Sequence, residues 1–275
     1  MKGYLISRPM LRIVKAVCLI IMLSGFVAIA YAQEGREIMK KSERAFLYAG
    51  KDFKVRVTMK LISSSGKTRL RELTMLRKNS GASGGEQKYF IYFHRPADVK
   101  GMTFMVYKYP DRDDDRWLFI PALNMVRRVA AQDRASSFVG SDFTYEDISG
   151  RDIDEDRHEL LREDNLNGEE CFVVKSTPVN ADMPYSYRLS WISKKNYLPL
   201  KIEYYDLSGI LYKVFTADEI KDIDGFPTVV KRTMKNLQSG HRTEVTFRDV
   251  QYNVNLKERI FSERYLRRPP REYIK

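Results

Sequence analysis

Few residues in this chain have the type and spacing that chemistry asks for. His94, His158 and His241 are its only histidines. Imidazole serves as a base or a metal ligand, but ligand sets place His or Cys a few residues apart. None of the three has such a neighbour. Asp111-Arg112-Asp113-Asp114-Asp115 offers oxygen ligands for calcium, yet it lacks the glycine and closing glutamate of an EF-hand loop. Aspartate runs of this kind form exposed turns. Asp152, Asp154, Glu155 and Asp156 read the same way, and Arg151–Arg157 is expected to be charged and exposed. Paired carboxylates for glycoside chemistry meet in space rather than in sequence, and nothing singles out a pair. No G-x-S-x-G elbow, P-loop or dinucleotide fingerprint occurs. Cys171, in Cys171-Phe172-Val173-Val174, reads as a small buried hydrophobe. The expectation is a protein with no catalytic residue, no metal and no cofactor.

The elements around these residues are legible from hydropathy. Residues 1–32 carry Lys2, Arg8, Arg12 and Lys15 but no acid, then an apolar run from Ala16 to Ala30, then Ala30-Tyr31-Ala32. That is the layout of a secretory signal peptide, and its run of about 15 residues is short of the roughly 20 that span a bilayer. Residues 1–32 are expected to be cleaved, leaving 33–275 as one domain in the periplasm. Cys18 lies at the start of that run, so Cys171 is left without a disulfide partner. The net charge of +12 becomes +8 without the four N-terminal cations. A basic balance attracts anionic lipid or an acidic partner, and export argues against nucleic acid.

Residues 34–49 read as an amphipathic helix stopped by Gly50. The period then changes to two. Phe53, Val55, Val57, Met59 and Leu61 alternate with Lys54, Arg56, Thr58 and Lys60, a half-buried strand. Further strands are expected near 69–77, 89–93, 102–107, 117–120 and 125–129. After a break they resume at 169–175, 185–192, 200–205, 211–217, 226–234 and 243–252, with Gly-containing turns between them. Tyr89–Phe93 and Met102–Tyr107 are apolar on both faces and need cover on both. Ser136–Ile148 reads as loop or short helix, and Ser262–Leu266 as a last helix. The fold expected is mainly β with helical cover. It is one strongly curved antiparallel sheet, an incomplete barrel of about 10–11 strands, with a sandwich as the other candidate.

The middle segment is the most specific. It contains Trp117-Leu118-Phe119-Ile120-Pro121-Ala122-Leu123, then Arg127-Arg128. Ser137-Phe138-Val139-Gly140-Ser141-Asp142-Phe143-Thr144-Tyr145-Glu146-Asp147 follows. This run resembles the LolA-like family of outer-membrane lipoprotein-sorting proteins, in the branch with the pattern W-L-Y-x-P-A-L, R-R and F-x-G-S-D-F-x-Y-E-D. Pro96–Met102 and Phe261–Leu266 fit the same branch, so the likeness spans nearly all of 33–275. Phe119 stands where Tyr is usual, and Val139 where Met is common. The resemblance implies a LolA/LolB-like half-barrel with helices across its mouth. It implies a carrier of lipid or lipoprotein acyl chains toward the outer membrane. The partners implied are an inner-membrane RND-type lipid transporter or an outer-membrane acceptor. A non-carrying periplasmic accessory subunit of such a transporter is the alternative.

An acyl-chain site needs an apolar concavity more than directional chemistry, since burial contributes roughly 0.8 kcal/mol per methylene. The candidate lining is Phe53, Val55, Val57, Met59, Phe104, Trp117, Phe119, Tyr187, Leu189 and Trp191, any of which could instead fill an ordinary core. Phe138, Gly140, Ser141, Asp142, Phe143 and Tyr145 read as a lid or rim, with Phe138, Phe143 and Tyr145 placed to plug the cavity or touch cargo. Gly140 permits an unusual backbone angle, and Ser141 or Asp142 is placed to cap a short helix. Arg127 and Arg128 point to opposite faces of a strand. One is therefore expected to face inward, paired with Asp142, Asp147 or an anionic cargo group. A monomer is expected.

Overall fold

The computed structural model describes residues 32–80 and 85–274. The expected signal peptide lies outside the described residues except for Ala32, and so does Cys18. Among the described residues no helix is long and apolar enough to cross a membrane.

Helix α1 spans residues 32–47. A first run of strands follows: β1 (Asp52–Ile62), β2 (Thr68–Ser80), β3 (Glu86–Arg95), β4 (Thr103–Lys108), β5 (Asp115–Ile120) and β6 (Met125–Val129). The second run is β7 (Asp156–Leu166), β8 (Glu169–Pro178), β9 (Tyr187–Ser193), β10 (Pro199–Tyr205), β11 (Leu211–Ile223), β12 (Phe226–Asn236) and β13 (Arg242–Tyr252). All belong to one sheet, ordered β6-β5-β4-β3-β2-β1-β13-β12-β11-β10-β9-β8-β7. Two meanders thus join where β1 pairs antiparallel with β13. β6 and β7 remain free edges, and the curved sheet does not close.

That is the architecture the alternation predicts, with thirteen strands instead of ten or eleven. β7 is the strand that alternation misses. Its buried positions are Asp156, His158 and Leu160, so paired charge occupies part of the face that hydrophobes mark elsewhere. β1 shows the ordinary case: Val55, Val57, Met59 and Leu61 are buried, and the residues between them are more exposed.

β3 and β4 are apolar on both faces because both are covered. Tyr89, Ile91, Phe93, Phe104 and Val106 face the central core. On the outer side, Phe90 packs against Leu256, Ile260 and Phe261, and Met105 against Leu266. These partners come from the C-terminal segment, which carries α3 (Glu263–Arg267) and α4 (Arg271–Ile274). Thr103 Oγ1 donates to the Leu266 carbonyl at 2.8 Å, tying that segment to β4.

Between β6 and β7 the chain crosses the concave side. This insert holds a bridge between Ser137 and Thr144, then α2 (Tyr145–Ser149). Val139 (φ 51°) and Gly140 (φ 76°) make a tight left-handed turn. Ser141 Oγ closes it by donating to the Phe138 carbonyl at 2.7 Å. The cap of α2 is Thr144 rather than Ser141 or Asp142. Thr144 Oγ1 accepts from the Asp147 amide, and Asp147 Oδ2 accepts from the Thr144 amide at 2.7 Å.

Candidate functional site

The concave face divides into two parts. Over β1–β5 it is mainly apolar and largely filled, with Arg77 of β2 buried at its border. Phe53, Val55, Val57, Met59 and Phe104 form one core with Phe138, Phe143 and Tyr145 from the insert. Phe138 is 1% exposed. Its ring centroid lies 5.3 Å from Phe104, 5.6 Å from Tyr145 and 6.0 Å from Phe93. Aromatic pairs at such spacing add to the area they bury. Of the two roles expected of Phe138, Phe143 and Tyr145, the packing corresponds to the plug.

Five residues expected to line the concavity lie on the other face of the sheet. Trp117 and Phe119 pack with Met105 and Leu266, beneath the C-terminal segment. Leu118, between them, points into the central core. Trp191 and Leu189 pack with Cys171 and Val173, and Tyr187 stacks on Tyr205 at 4.5 Å. The inward residues of β9 are Arg188, Ser190 and Ile192, which line a cavity. A period of two separates two faces but does not say which is concave.

Arg127 and Arg128 are both exposed. Arg128 pairs with Asp115, not with Asp142 or Asp147. Asp142 instead fastens the insert to β13. Its Oδ2 accepts from Thr243 Oγ1 at 2.7 Å and lies 2.8 Å from His241 Nδ1. Asp147 Oδ2 lies 3.7 Å from Lys213 Nζ, so this lid acid meets a lysine of β11.

The stretch expected to be charged and exposed is so only in part: Asp154 and Arg157 are exposed, but the side chains of Arg151 and Asp156 are buried, because their charges are paired. Arg151 Nε meets Asp156 at 2.9 Å, and Arg151 Nη1 meets Glu146 at 3.1 Å. Arg134 contacts Glu146, Glu155 and Asp182. Arg188 of β9 completes the network on Asp156. Burial pushes the Glu146 carboxyl up. Burial pushes Asp156 up too, but Arg188 and Arg151 outweigh it and hold this carboxyl below its ordinary value. Burial lowers His158, which bonds Ser176 Oγ at 2.8 Å and the Ile153 carbonyl at 2.9 Å. Together these contacts clamp the insert to β7 and β9.

Over β7–β13 the concave face is covered by α1 and is not filled. Gly35 lets the helix lie close to β7: a Cβ there would come within 2.7 Å of the Leu160 amide nitrogen. At Gly150 a Cβ would lie 2.2 Å from Leu47 Cδ1, so only glycine lets Leu47 seat. A cavity of about 130 Å³ remains, bounded by Met39, Phe46 and Leu47 of α1 and by Arg188, Ile202 and Tyr204 of the sheet. A second, of about 60 Å³, shares Phe46, Leu47 and Asp147 with it and reaches Arg77, Arg232 and Phe247. Ligand pockets run to roughly 300–1,000 Å³. Both voids are smaller than that, and Phe46 and Leu47 of α1 and Asp147 of the insert line the two together.

The model of a family described as uncharacterized protein matches residues 85–268. A DUF1329 family protein from Desulfovibrio piger is 28% identical, with a TM-score of 0.80 over 86% of this chain and 99% of its own. The chain belongs to DUF1329, a LolA-like family. A domain from Vibrio parahaemolyticus, provisionally assigned to outer-membrane lipoprotein sorting, is 29% identical. It aligns with a TM-score of 0.79 over 86% of this chain and 99% of its own. A LolA superfamily protein from Nitrosomonas europaea has the same fold at 21% identity, with a TM-score of 0.67 over 84% of this chain and 98% of its own. No curated protein matches the chain in sequence. The last part of the LolA-like motif, Ser137–Asp147, lies in the insert: its aromatics plug one half of the concavity, and its acids latch it to the other.

Proposed function

We propose that residues 33–275 form one periplasmic, non-enzymatic domain that carries acyl chains of lipid or lipoprotein toward the outer membrane. The chains lie in the concavity beneath α1 and the insert. The observation that carries this reading is the pair of adjoining voids under α1, which share Phe46 and Leu47 of that helix and Asp147 of the insert and no residue of the sheet. Moving Phe46 and Leu47 joins them. Each methylene then buried contributes roughly 0.8 kcal/mol, enough for a chain to hold the helix aside. The sorting role assigned to the Vibrio parahaemolyticus relative supports the same reading. An inner-membrane lipid transporter and an outer-membrane acceptor are the partners such a carrier needs.

The test is titration with a fluorescent fatty acid. Saturable uptake, displaced by long-chain lipid and strengthened by Leu47→Ala, is the expected result. No uptake would favour a second reading, to which the burial of Phe138 points. In that reading the concavity is self-filled, and the protein is a non-carrying subunit of a transporter.

A further inference from the structure

The smaller void holds an uncommon set of charges. The charged side chains lining it are Arg77, Arg232 and Asp147. Asp147 is already engaged by the α2 cap and by Lys213. The void is therefore electropositive inside the fold. Both arginines have a buried Nε with no hydrogen-bond partner. Arg77 spends its terminal nitrogens on the Leu47 and Ala49 carbonyls at the end of α1. Arg232 is surrounded by rings instead: its guanidinium carbon lies 4.4 Å from the Phe247 centroid, 5.6 Å from Phe46 and 5.9 Å from Phe143. Burial pushes Arg232 down to about 10 and lowers Arg77 as well. Arg77 is buried and Arg232 half-buried, and neither forms an ion pair among the described residues, an arrangement that a bound anion relieves.

The sheet opens beside this void. β12 and β13 pair only from Lys231 with Thr246 to Lys235 with Arg242. Past that ladder β13 is irregular, with Asp249 at φ 50°, and β11 is irregular opposite Lys231 and Val229. Bulges of this kind bend a strand and end its pairing. The parted strands are bridged by Thr228 Oγ1 and Tyr252 OH, 2.8 Å apart. Phe247 lines both the inner void and an outer cleft at the seam.

We infer that Arg232, with Arg77 beside it, binds the acid group of an anionic amphiphile: a carboxylate or phosphate joined to hydrocarbon. This deepens the carrier reading and rests on it. A guanidinium suits either acid, through paired N–H donors in a fixed fork. The rings of Phe46, Phe143 and Phe247 suit the first methylenes behind it.

The experiment compares laurate with dodecanol, which share a chain and differ in the acid, and adds acetate as the acid without the chain. Calorimetry is done on residues 33–275 at mildly alkaline pH. The wild-type protein is expected to prefer laurate to dodecanol by roughly tenfold or more, the worth of a hydrogen bond to a charged group. In Arg232→Gln the preference should fall to near unity, and Arg232→Lys should keep part of it. Acetate should bind far more weakly than laurate. Equal wild-type affinity for laurate and dodecanol overturns the inference and leaves the carrier reading standing. So does a laurate preference that Arg232→Gln leaves intact. Acetate binding as tightly as laurate makes this a small-anion site and also overturns it. Binding of none of the three overturns both. The wild-type comparison needs no substitution, so a misfolded variant does not remove the test.

Discussion

The two halves of the concavity are built by opposite rules. Over β1–β5 most of the inner face is apolar, and the insert fills it with Phe138, Phe143 and Tyr145, leaving Arg77 of β2 at its border with the other half. Over β7–β13 the inner face presents Arg188, Lys213 and Arg232, and α1 covers it with voids beneath. The first half has what a stable core needs. The second, with its border at Arg77, keeps desolvated charge and unfilled space, both of which cost stability and both of which suit a ligand. A strained or unsatisfied region persists when the rest of the fold holds it, and here the filled half does so.

Substitutions that cross the divide test this contrast. Phe138→Ala should cost most, about 3–5 kcal/mol by chemical denaturation, because it empties a closely packed site. A loss below about 1 kcal/mol would mean that the insert is not core. Arg188→Ala should cost nearly as much, about 3 kcal/mol, since it strips one of two partners from the buried Asp156 carboxylate.

A pH effect comes next. His158 is depressed by burial, so it stays neutral in the fold where the unfolded chain's histidine is already protonated. Its contribution is full above about 6.5 and is lost as pH falls from there through the lower folded value. Melting temperature should drop over that range, and His158→Gln should flatten the drop. Arg232→Gln should matter least to stability, changing it by less than about 1 kcal/mol in either direction, because it removes a half-buried charge with no ion-pair partner among the described residues. A loss as large as that of Phe138→Ala would make Arg232 structural and erase the contrast between the halves.

Much of the first half was legible in the sequence. Strands such as β1 alternate cleanly because one face is buried and the other wet. The double-sided runs of β3 and β4 announced an outer cover, which the C-terminal segment supplies. The insert stood out by its motif, and its aromatics plug the concavity, one of the two roles expected of them. The second half was harder to read. β7 hides its inner face behind Asp156 and His158, whose burial depends on partners from the insert and from β8 and β9. Trp117, Phe119, Tyr187, Leu189 and Trp191 alternate correctly but face outward, and no local pattern marks the concave side. Arg232 in Lys231-Arg232-Thr233 looks like any wet strand residue. The one available signal was its shared parity with Met234, which is buried in the core.

The most direct test of the central claim is mass spectrometry of organic extracts from residues 33–275, purified from a periplasmic fraction without detergent. A carrier should bring stoichiometric lipid or lipopeptide with it, which would name the cargo class. A protein that extracts empty and takes up no added lipid would contradict the account, leaving the voids under α1 as packing defects and the chain as a partner-binding subunit.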